Sequence, residues 1–305
     1  MSLSDKVQMS IKRLKQFEPD EGYYLAFSGG KDSVVIKRLA QMAGVKFDAH
    51  YNVTSVDPPE LVRFVLDEHK DVSFDIPHDS DGSPITMWNL IPRKLMPPTR
   101  LVRYCCAELK ERSGADRWVV TGVRWAESVR RKNNSGIVQA QRGNPLDLED
   151  EDMSDWRRNK NGGLILVNDN DNARQQLEHC QIKGKWAVNP IIDWSDRDVW
   201  DFIHAENVPY CELYDCGMHR LGCIGCPMGG RNGMLSDFAK YPKYKAAYIR
   251  TFDKMIVERR KKGQGPGHKV DWTTGVDVMR WWLRDPNPKE QITIWEGLGM
   301  DDDYV

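Results

Sequence analysis

One stretch carries the clearest structural signal in this chain: Tyr23-Tyr24-Leu25-Ala26-Phe27-Ser28-Gly29-Gly30-Lys31-Asp32-Ser33. Its first half is a short apolar run typical of a β-strand, and an amphipathic pattern at helical spacing follows from residue 34 to residue 42. A strand, a glycine turn and a helix in this order direct backbone N–H groups and the positive end of the helix towards an anion. Because Gly29 and Gly30 lack a Cβ, the turn can adopt positive φ and a phosphate can approach the backbone.

The side chains of this turn suit the same kind of ligand. Ser28 and Ser33 add hydroxyl donors, and Lys31 adds a positive charge. The pattern lacks the longer Gly-x-x-x-x-Gly-Lys-Ser/Thr spacing of a Walker loop, so ordinary kinase or ATPase chemistry is not indicated. The nucleotide-binding residues predicted in this turn are Ala26, Phe27, Ser28, Gly29, Gly30, Lys31, Asp32 and Ser33.

Strand-like and helix-like segments alternate along the first part of the chain. Further strands are predicted at residues 46–52, 72–76 and 117–122, with a helix over about residues 58–69. This alternation predicts an α/β fold with a doubly wound, mostly parallel sheet. Ligands bind beyond the carboxyl ends of such strands, where Ser28 and Gly122 both lie.

Changes in composition divide the chain into four predicted regions. They are a nucleotide-binding α/β core (1–130), a polar insertion (131–188), a continuation of the core with a Cys-x-x-Cys segment (189–235) and a helical C-terminal region (236–305). The insertion is rich in Asn, Asp, Gly and Arg, and only residues 163–167 look strand-like. We expect it to be irregular and to close over the site.

Composition also limits the classes of partner that we expect. The 305 residues carry a net charge of −1, so nucleic acid is not indicated, although a local basic patch is not excluded. There is no run of about 18 apolar residues and no hydrophobic N-terminal segment, so we expect no membrane partner and a cytoplasmic protein. The sequence leaves an oligomer open.

The seven cysteines are clustered, which in a reducing compartment indicates metal binding or redox chemistry. Cys223 and Cys226 are separated by two residues and can chelate one metal or one edge of a cluster. Cys105 and Cys106 are adjacent, and the two pairs together supply four thiolates. Zinc, an iron–sulfur cluster and a redox dithiol all remain open on the residues alone.

In combination these motifs resemble the phosphoadenosine-phosphosulfate (PAPS) and adenosine-phosphosulfate (APS) reductase family. That family belongs to the superfamily of pyrophosphate-loop enzymes, whose loop reads Ser-Gly-Gly-x-Asp-Ser. APS reductases carry a Cys-Cys pair and a later Cys-x-x-Cys, in the order found here. The segment Gly122-Val123-Arg124-Trp125-Ala126-Glu127-Ser128-Val129-Arg130 is similar to the family's Gly-x-Arg-x-x-Glu-Ser-x-x-Arg element, and Leu213-Tyr214-Asp215-x-Gly217 resembles its lead-in to the second cysteine pair.

The resemblance implies roles for individual residues. Cys105, Cys106, Cys223 and Cys226 would hold a [4Fe–4S] cluster, with Zn²⁺ as the alternative and with Cys180 or Cys216 able to replace Cys106. Gly122, Arg124, Glu127 and Arg130 would join the nucleotide-binding residues. Arginine suits phosphate or sulfate because its planar fork binds both oxygens of an anion, and Glu127 would orient one of the arginines.

One departure from the reductases shapes the predicted reaction. Those enzymes use a cysteine in a C-terminal Glu-Cys-Gly-Leu-His tail, whereas no cysteine follows Cys226 here. The internal Asp215-Cys216-Gly217-Met218-His219 looks like that tail but lies within the lead-in, so we interpret the likeness as accidental. We therefore predict, as in the related DNA-phosphorothioation enzymes, that Mg²⁺-bound ATP is cleaved between its α and β phosphates in iron–sulfur-assisted sulfur transfer. The candidate catalytic residues are Lys31, Asp32 and Arg124, together with Cys216 as the cysteine that would carry the sulfur.

Two alternatives stay open. In an APS or PAPS reductase, the same loop would hold the sulfonucleotide while a thiolate attacks the sulfate sulfur. In a zinc-stabilised module, the chain would only bind a nucleotide or nucleic acid. The enzyme interpretations imply a sulfur-donor protein or a thiol reductant as partner.

Overall fold

The computed structural model describes residues 1–114, 117–142, 156–158, 164–166, 185–263 and 272–283. The chain divides into two compact units, each made of three segments. The first unit comprises Met1–Tyr51, Glu60–Phe74 and Gly114–Leu221, and the second comprises Asn52–Pro59, Asp75–Ser113 and Gly222–Val305. Within the described residues, no helix has both the length and the apolar character that a membrane span requires.

Among the described residues, eight strands form one sheet. They are β1 (Tyr23–Ala26), β2 (Phe47–Asn52), β3 (Val72–Asp75), β4 (Trp118–Val120), β5 (Val138–Arg142), β6 (Trp156–Arg158), β7 (Leu164–Leu166) and β8 (Lys185–Val188). The spatial order is β3-β2-β1-β4-β8-β5-β7-β6. The strands β2, β1, β4 and β8 are parallel neighbours, and β5, β7 and β6 extend the sheet in antiparallel fashion. The predicted α/β fold with a parallel sheet around the glycine turn is confirmed.

The helices Lys31–Ala43 and Pro59–Glu68 follow β1 and β2, as the alternation predicts. In chain order the helices are α1 (Leu3–Gln16), α2 (Lys31–Ala43), α3 (Pro59–Glu68), α4 (Met87–Lys94), α5 (Tyr104–Cys106), α6 (Val129–Asn134), α7 (Asp196–Ala205), α8 (Gly230–Lys240), α9 (Pro242–Lys261) and α10 (Gly275–Trp282). Helix α2 buries an apolar face that includes Val35, Ile36 and Leu39, and it ends where Gly44 adopts the left-handed conformation. Helix α7 begins with a capping box formed by Ser195 and Asp198.

The segment predicted to be an irregular insertion contributes strands to the sheet. The strand-like residues 163–167 contain β7, but β5, β6 and β8 also lie within the range 131–188. Strand β8 pairs with β4 in parallel, with Trp118 opposite Trp186. Short strands of this kind gain their stability from neighbours distant in sequence, so local periodicity does not reveal them. The four region boundaries stay a prediction.

The second unit has a helical core. Its buried apolar side chains come from α4, α8, α9 and α10, together with the segment around α5. Trp282 is buried there, and its indole N–H donates to the carbonyl of Pro98 at 2.7 Å. The predicted helical character of the C-terminal region is confirmed for its described residues.

Candidate functional site

The glycine loop (residues 28–33) connects the end of β1 to the start of α2. Phe27 directly follows β1, and its backbone N–H donates to the carbonyl of His50 at 2.9 Å. Ser33 Oγ donates to the carbonyl of Gly30 at 2.8 Å, and the N–H of Gly30 donates to Ser28 Oγ at 3.4 Å. Gly30 precedes the helix without any side-chain cap, so the first turn of α2 keeps donors available to a ligand.

Two glycines fix the shape of this loop. Gly29 has φ +71°, and a Cβ there would lie 2.7 Å from Leu61 Cδ1 and 2.9 Å from Val65 Cγ2. Gly122 follows β4, and a Cβ on it would lie 2.9 Å from Asp32 Cβ. Both positions therefore require glycine, Gly29 for its conformation and its tight contact, and Gly122 for the close approach of β4 to α2.

Arg124 is buried beside the loop, with only 1% of its surface exposed. Its Nε donates to Asp32 Oδ1 and its Nη2 donates to Asp196 Oδ1, both at 2.6 Å. Its Nη1 donates to the carbonyl of Trp194 at 3.3 Å. Burial alone would lower the pKa of Arg124, but the two carboxylates outweigh it and raise the pKa. The guanidinium is thus charged and held by protein acceptors.

The charges around Lys31 balance. Its ammonium lies 3.7 Å from Asp32 and 3.5 Å from Asp196. Burial tends to raise the pKa of Asp196, but the hydrogen bond from Arg124 and the charge of Lys31 outweigh it and lower the pKa. Two cations thus face two carboxylates, so the attraction of the loop for an anion depends on its N–H groups and the helix dipole.

Asp196 and Tyr214 contact Lys31 of the loop, although neither was predicted as a site residue. The backbone N–H of Lys31, the first residue of α2, donates to the hydroxyl oxygen of Tyr214 at 2.8 Å. Burial raises the pKa of Tyr214. Tyr214 lies in the recognised Leu213-Tyr214-Asp215 motif, and Asp196 follows the helix cap at Ser195, but neither pattern indicates a contact with the loop.

The remaining predicted residues of the first unit occupy separate positions. Glu127 ends a 3₁₀ turn and forms an ion pair with Arg131. Arg130 lies in α6, and its side chain is outside the described part of the structure. Cys216 is exposed, in a turn where its N–H donates to the carbonyl of Glu212 at 3.2 Å.

The cysteine centre (Cys105, Cys106, Cys223 and Cys226) belongs to the second unit. Cys105 and Cys106 form the end of α5. Cys223 and Cys226 flank a turn in which the N–H of Cys226 donates to the carbonyl of Cys223 at 3.2 Å. Gly225 in this turn has φ +72°, and a Cβ on it would lie 2.5 Å from the ring of Phe238, so the turn requires glycine.

The surroundings of this centre shift the pKa values of Cys105, Cys106 and Cys223. The hydrogen bond to Cys106 and then burial raise the pKa of Cys105, and Cys223 and Cys226 add to the shift. The same hydrogen bond lowers the pKa of Cys106. Burial tends to raise this pKa, whereas the positive charge of Arg103 lowers it further. Cys223, whose pKa burial raises, in turn raises the pKa of Lys110.

The centre has the donor types of a metal site without its geometry. Four thiols in one neighbourhood suit an iron–sulfur cluster or zinc. Within the part of the chain that the structure describes, however, no three or more His, Cys, Asp or Glu side chains are arranged to hold a metal ion. Cys180, the proposed substitute for Cys106, lies outside the described residues. Metal binding at these cysteines therefore stays a prediction.

Comparison with known proteins connects both regions to one family. Residues 22–228 match the family described as the phosphoadenosine phosphosulfate reductase domain. The chain is 50% identical over 44 residues to adenosine 5'-phosphosulfate reductase of Neisseria meningitidis serogroup B, a match of 14% of this chain and 18% of that protein. It is 32% identical over 99 residues to phosphoadenosine 5'-phosphosulfate reductase of Xanthomonas axonopodis pv. citri, a match of 31% of this chain and 37% of that protein. The chain thus spans less than two fifths of the length of these relatives.

A solved structure shows weaker similarity. The crystal structure of phosphoadenylyl-sulfate reductase from Candida auris, a phosphate complex, aligns with a TM-score of 0.41 at 14% sequence identity. The alignment covers 72% of this chain and 93% of that chain.

Proposed function

Because this chain belongs to the phosphoadenosine phosphosulfate reductase domain family, we propose that it binds an adenosine sulfonucleotide, APS or PAPS, and reduces it with thiols. The family match carries this proposal, since it spans the glycine loop, Arg124 and Cys216 together. The names of the relatives favour this reaction over the ATP cleavage predicted from the sequence.

The glycine loop would hold the negatively charged end of the nucleotide. The first turn of α2 supplies backbone N–H groups, Ser28 and Ser33 supply hydroxyls, and Lys31 supplies a positive charge. For Arg124 we propose a positioning role instead of the predicted contact with the nucleotide. Because three of its N–H groups donate to protein oxygens, we assign it the positioning of Asp32 and Asp196.

Cys216 is the candidate nucleophile, since its side chain is exposed and it belongs to the same unit as the loop. Its thiolate would attack the sulfate sulfur and form an S–S bond, while the bond from sulfur to the bridging phosphate oxygen breaks. The nucleoside phosphate leaves with that electron pair. A second thiol, from a reductant, then attacks Cys216 Sγ, so that sulfite departs and a disulfide forms.

The cysteine centre of the second unit would hold a [4Fe–4S] cluster or a zinc ion through Cys105, Cys106, Cys223 and Cys226. A cluster would supply a redox-active centre whose potential its surroundings set, whereas zinc would supply a structural cross-link. The reaction steps above rest on the residues of the first unit.

A second candidate function is cleavage of Mg²⁺-bound ATP with adenylation of an acceptor. Asp32 and Asp196 favour it, because both carboxylates lie within 4 Å of the Lys31 ammonium. Mg²⁺ in nucleotide sites is commonly bound by one or two carboxylates together with the phosphates. In this reaction pyrophosphate, rather than sulfite, is released.

Product analysis tests the proposal. We expect anaerobically purified protein with a dithiol reductant to release sulfite from APS or PAPS, and we expect Cys216→Ser to abolish the release while nucleotide binding remains. The control is Cys211→Ala, a cysteine buried against Leu61 and Leu213, which should still release sulfite. Sulfite release by Cys216→Ser at the wild-type rate would refute the nucleophile, and pyrophosphate release from ATP with no sulfite from either sulfonucleotide would favour the second candidate.

A further inference from the structure

The hydroxyl of Tyr214 lies against the glycine loop and accepts a hydrogen bond from its backbone. The N–H of Lys31 belongs to the first turn of α2, whose N–H groups have no partner within the helix. Here that N–H donates to Tyr214 Oη at 2.8 Å, a full-strength hydrogen bond. A Cβ built on Gly30 would lie 3.5 Å from the same oxygen, so the hydroxyl lies against the loop itself.

Neighbouring side chains hold Tyr214 there without enclosing it. Its ring packs edge to face on Trp200, with centroids 5.1 Å apart, and the Lys31 ammonium lies 5.9 Å from the ring centroid. The ring remains partly exposed. Since burial raises the pKa of Tyr214, its oxygen is a neutral hydroxyl that accepts from the loop.

We propose that Tyr214 is a displaceable cap on the glycine loop: its hydroxyl accepts the Lys31 N–H in the free protein and leaves when a phosphate oxygen of the ligand takes that N–H. One N–H makes one strong hydrogen bond, so the hydroxyl and the phosphate oxygen exclude each other. The Asp196 carboxylate acts in a similar way, because it is a protein acceptor that pairs with the cations Lys31 and Arg124.

The cap predicts the direction in which the affinity for the ligand changes when the hydroxyl is removed. Breaking the contact between Tyr214 and Lys31 opposes ligand binding, so removing the hydroxyl should strengthen binding. If Tyr214 instead stayed in place and donated its own proton to the ligand, removing the hydroxyl should weaken binding. This inference rests on the proposed function only in requiring that the loop binds a phosphorylated ligand.

Calorimetric titration of Tyr214→Phe tests the cap, with inorganic pyrophosphate, APS and ATP as probes. We expect the variant to bind about two- to tenfold more tightly than wild type, the range of one net hydrogen bond. Tyr210→Phe is the matched control, because Tyr210 also contacts the ring of Trp200 but its hydroxyl donates to Asp215 at 3.1 Å. Its affinities should equal those of wild type, and equal or weaker binding by Tyr214→Phe would overturn the cap.

Amide hydrogen exchange at Lys31 separates the cap from the proposed function. Without any ligand, the Lys31 N–H should exchange faster in Tyr214→Phe than in wild type and Tyr210→Phe, because its acceptor is gone. Unchanged exchange would refute the contact whatever the protein binds. If no probe binds to wild type or to Tyr214→Phe, the loop is not a phosphate site, and the proposed function and the cap both fail. If wild type binds and Tyr214→Phe gains nothing, only the cap fails.

Discussion

In the glycine loop the backbone determines the site, whereas in the cysteine centre the side chains determine it. The loop depends on the positive φ of Gly29 and on the absence of a Cβ at Gly122, and the hydroxyl of Tyr214 already accepts one of its N–H groups, that of Lys31. The cysteine centre has a glycine turn too, at Gly225, but within the described residues its thiols are not arranged to hold a metal ion. A ligand therefore has to displace protein groups from the loop, while a metal would have to draw the thiols together.

The largest expected effect concerns the cysteine centre. We expect Cys223→Ser to reduce the bound metal from about one cluster or ion per chain to near zero, because losing one thiolate removes a ligand from a four-thiolate site. Iron and zinc analysis of protein purified under argon measures it. Cys216→Ser, exposed and in the other unit, should keep the wild-type content.

Each outcome of the metal analysis has a definite meaning. Iron in wild type favours a cluster, and zinc without iron favours a structural cross-link. Metal retained at the wild-type level in Cys223→Ser would contradict the assignment of this cysteine.

The next effect tests whether the backbone shapes the loop. Gly29→Ala places a Cβ at φ +71° within 3 Å of Leu61 and Val65. We expect it to lower the free energy of unfolding by about 2–5 kcal/mol, from backbone strain and overpacking together, and to weaken nucleotide binding at least tenfold. Urea unfolding and calorimetry measure the two quantities.

Gly44→Ala is the matched control for the loop. Gly44 has φ +68°, but nothing lies within 4 Å of a Cβ there. Gly44→Ala should lower the free energy of unfolding by only about 1 kcal/mol, from backbone strain, and should leave nucleotide binding unchanged. Equal effects of the two variants on stability and binding would show that the contacts of Gly29 with α3 do not matter.

The smallest effect concerns pH and the support of the loop. His69 packs edge-on against Phe27, with centroids 4.7 Å apart, and burial together with the charge of Lys37 lowers its pKa from 6.5 to about 4. Between these values the unfolded chain binds a proton that the folded chain does not, so stability should fall as pH decreases from 6.5 to 4. The loss should total at most about 3 kcal/mol and stop below pH 4.

Unfolding by urea at pH 7.5, 6 and 5 measures this dependence. The variant His69→Gln should lose most of the slope between pH 6.5 and 4, while His204→Gln, at an exposed position, should retain it. A wild-type slope in His69→Gln would show that another group titrates in this range.

Local sequence was enough to predict the loop but not the groups that face it. The strand, glycine turn and helix of residues 23–43 are contiguous, so their pattern predicts their geometry. Tyr214 is 183 residues from Lys31, and Asp196 is 72 residues from Arg124, so only the folded sheet brings them together. Arg124 was predicted to bind the nucleotide, but its burial between two carboxylates does not follow from its motif.

The second unit shows the same limit. The pairing of Cys105 and Cys106 with Cys223 and Cys226 came from a family resemblance, since spacing alone cannot choose among seven cysteines. The structure places these four residues in one unit. Strand β8 was missed as part of the sheet because four residues give no reliable period, and its partner β4 precedes it by more than 60 residues.

Calorimetric binding of APS, PAPS and ATP to anaerobically purified protein, with and without Mg²⁺, tests the central claim most directly. We expect APS or PAPS to bind more tightly than ATP, and to bind without Mg²⁺. Preference for ATP with a requirement for Mg²⁺ would contradict sulfonucleotide reduction and favour adenylation. Binding of none of the three would contradict the assignment of the glycine loop as a nucleotide site.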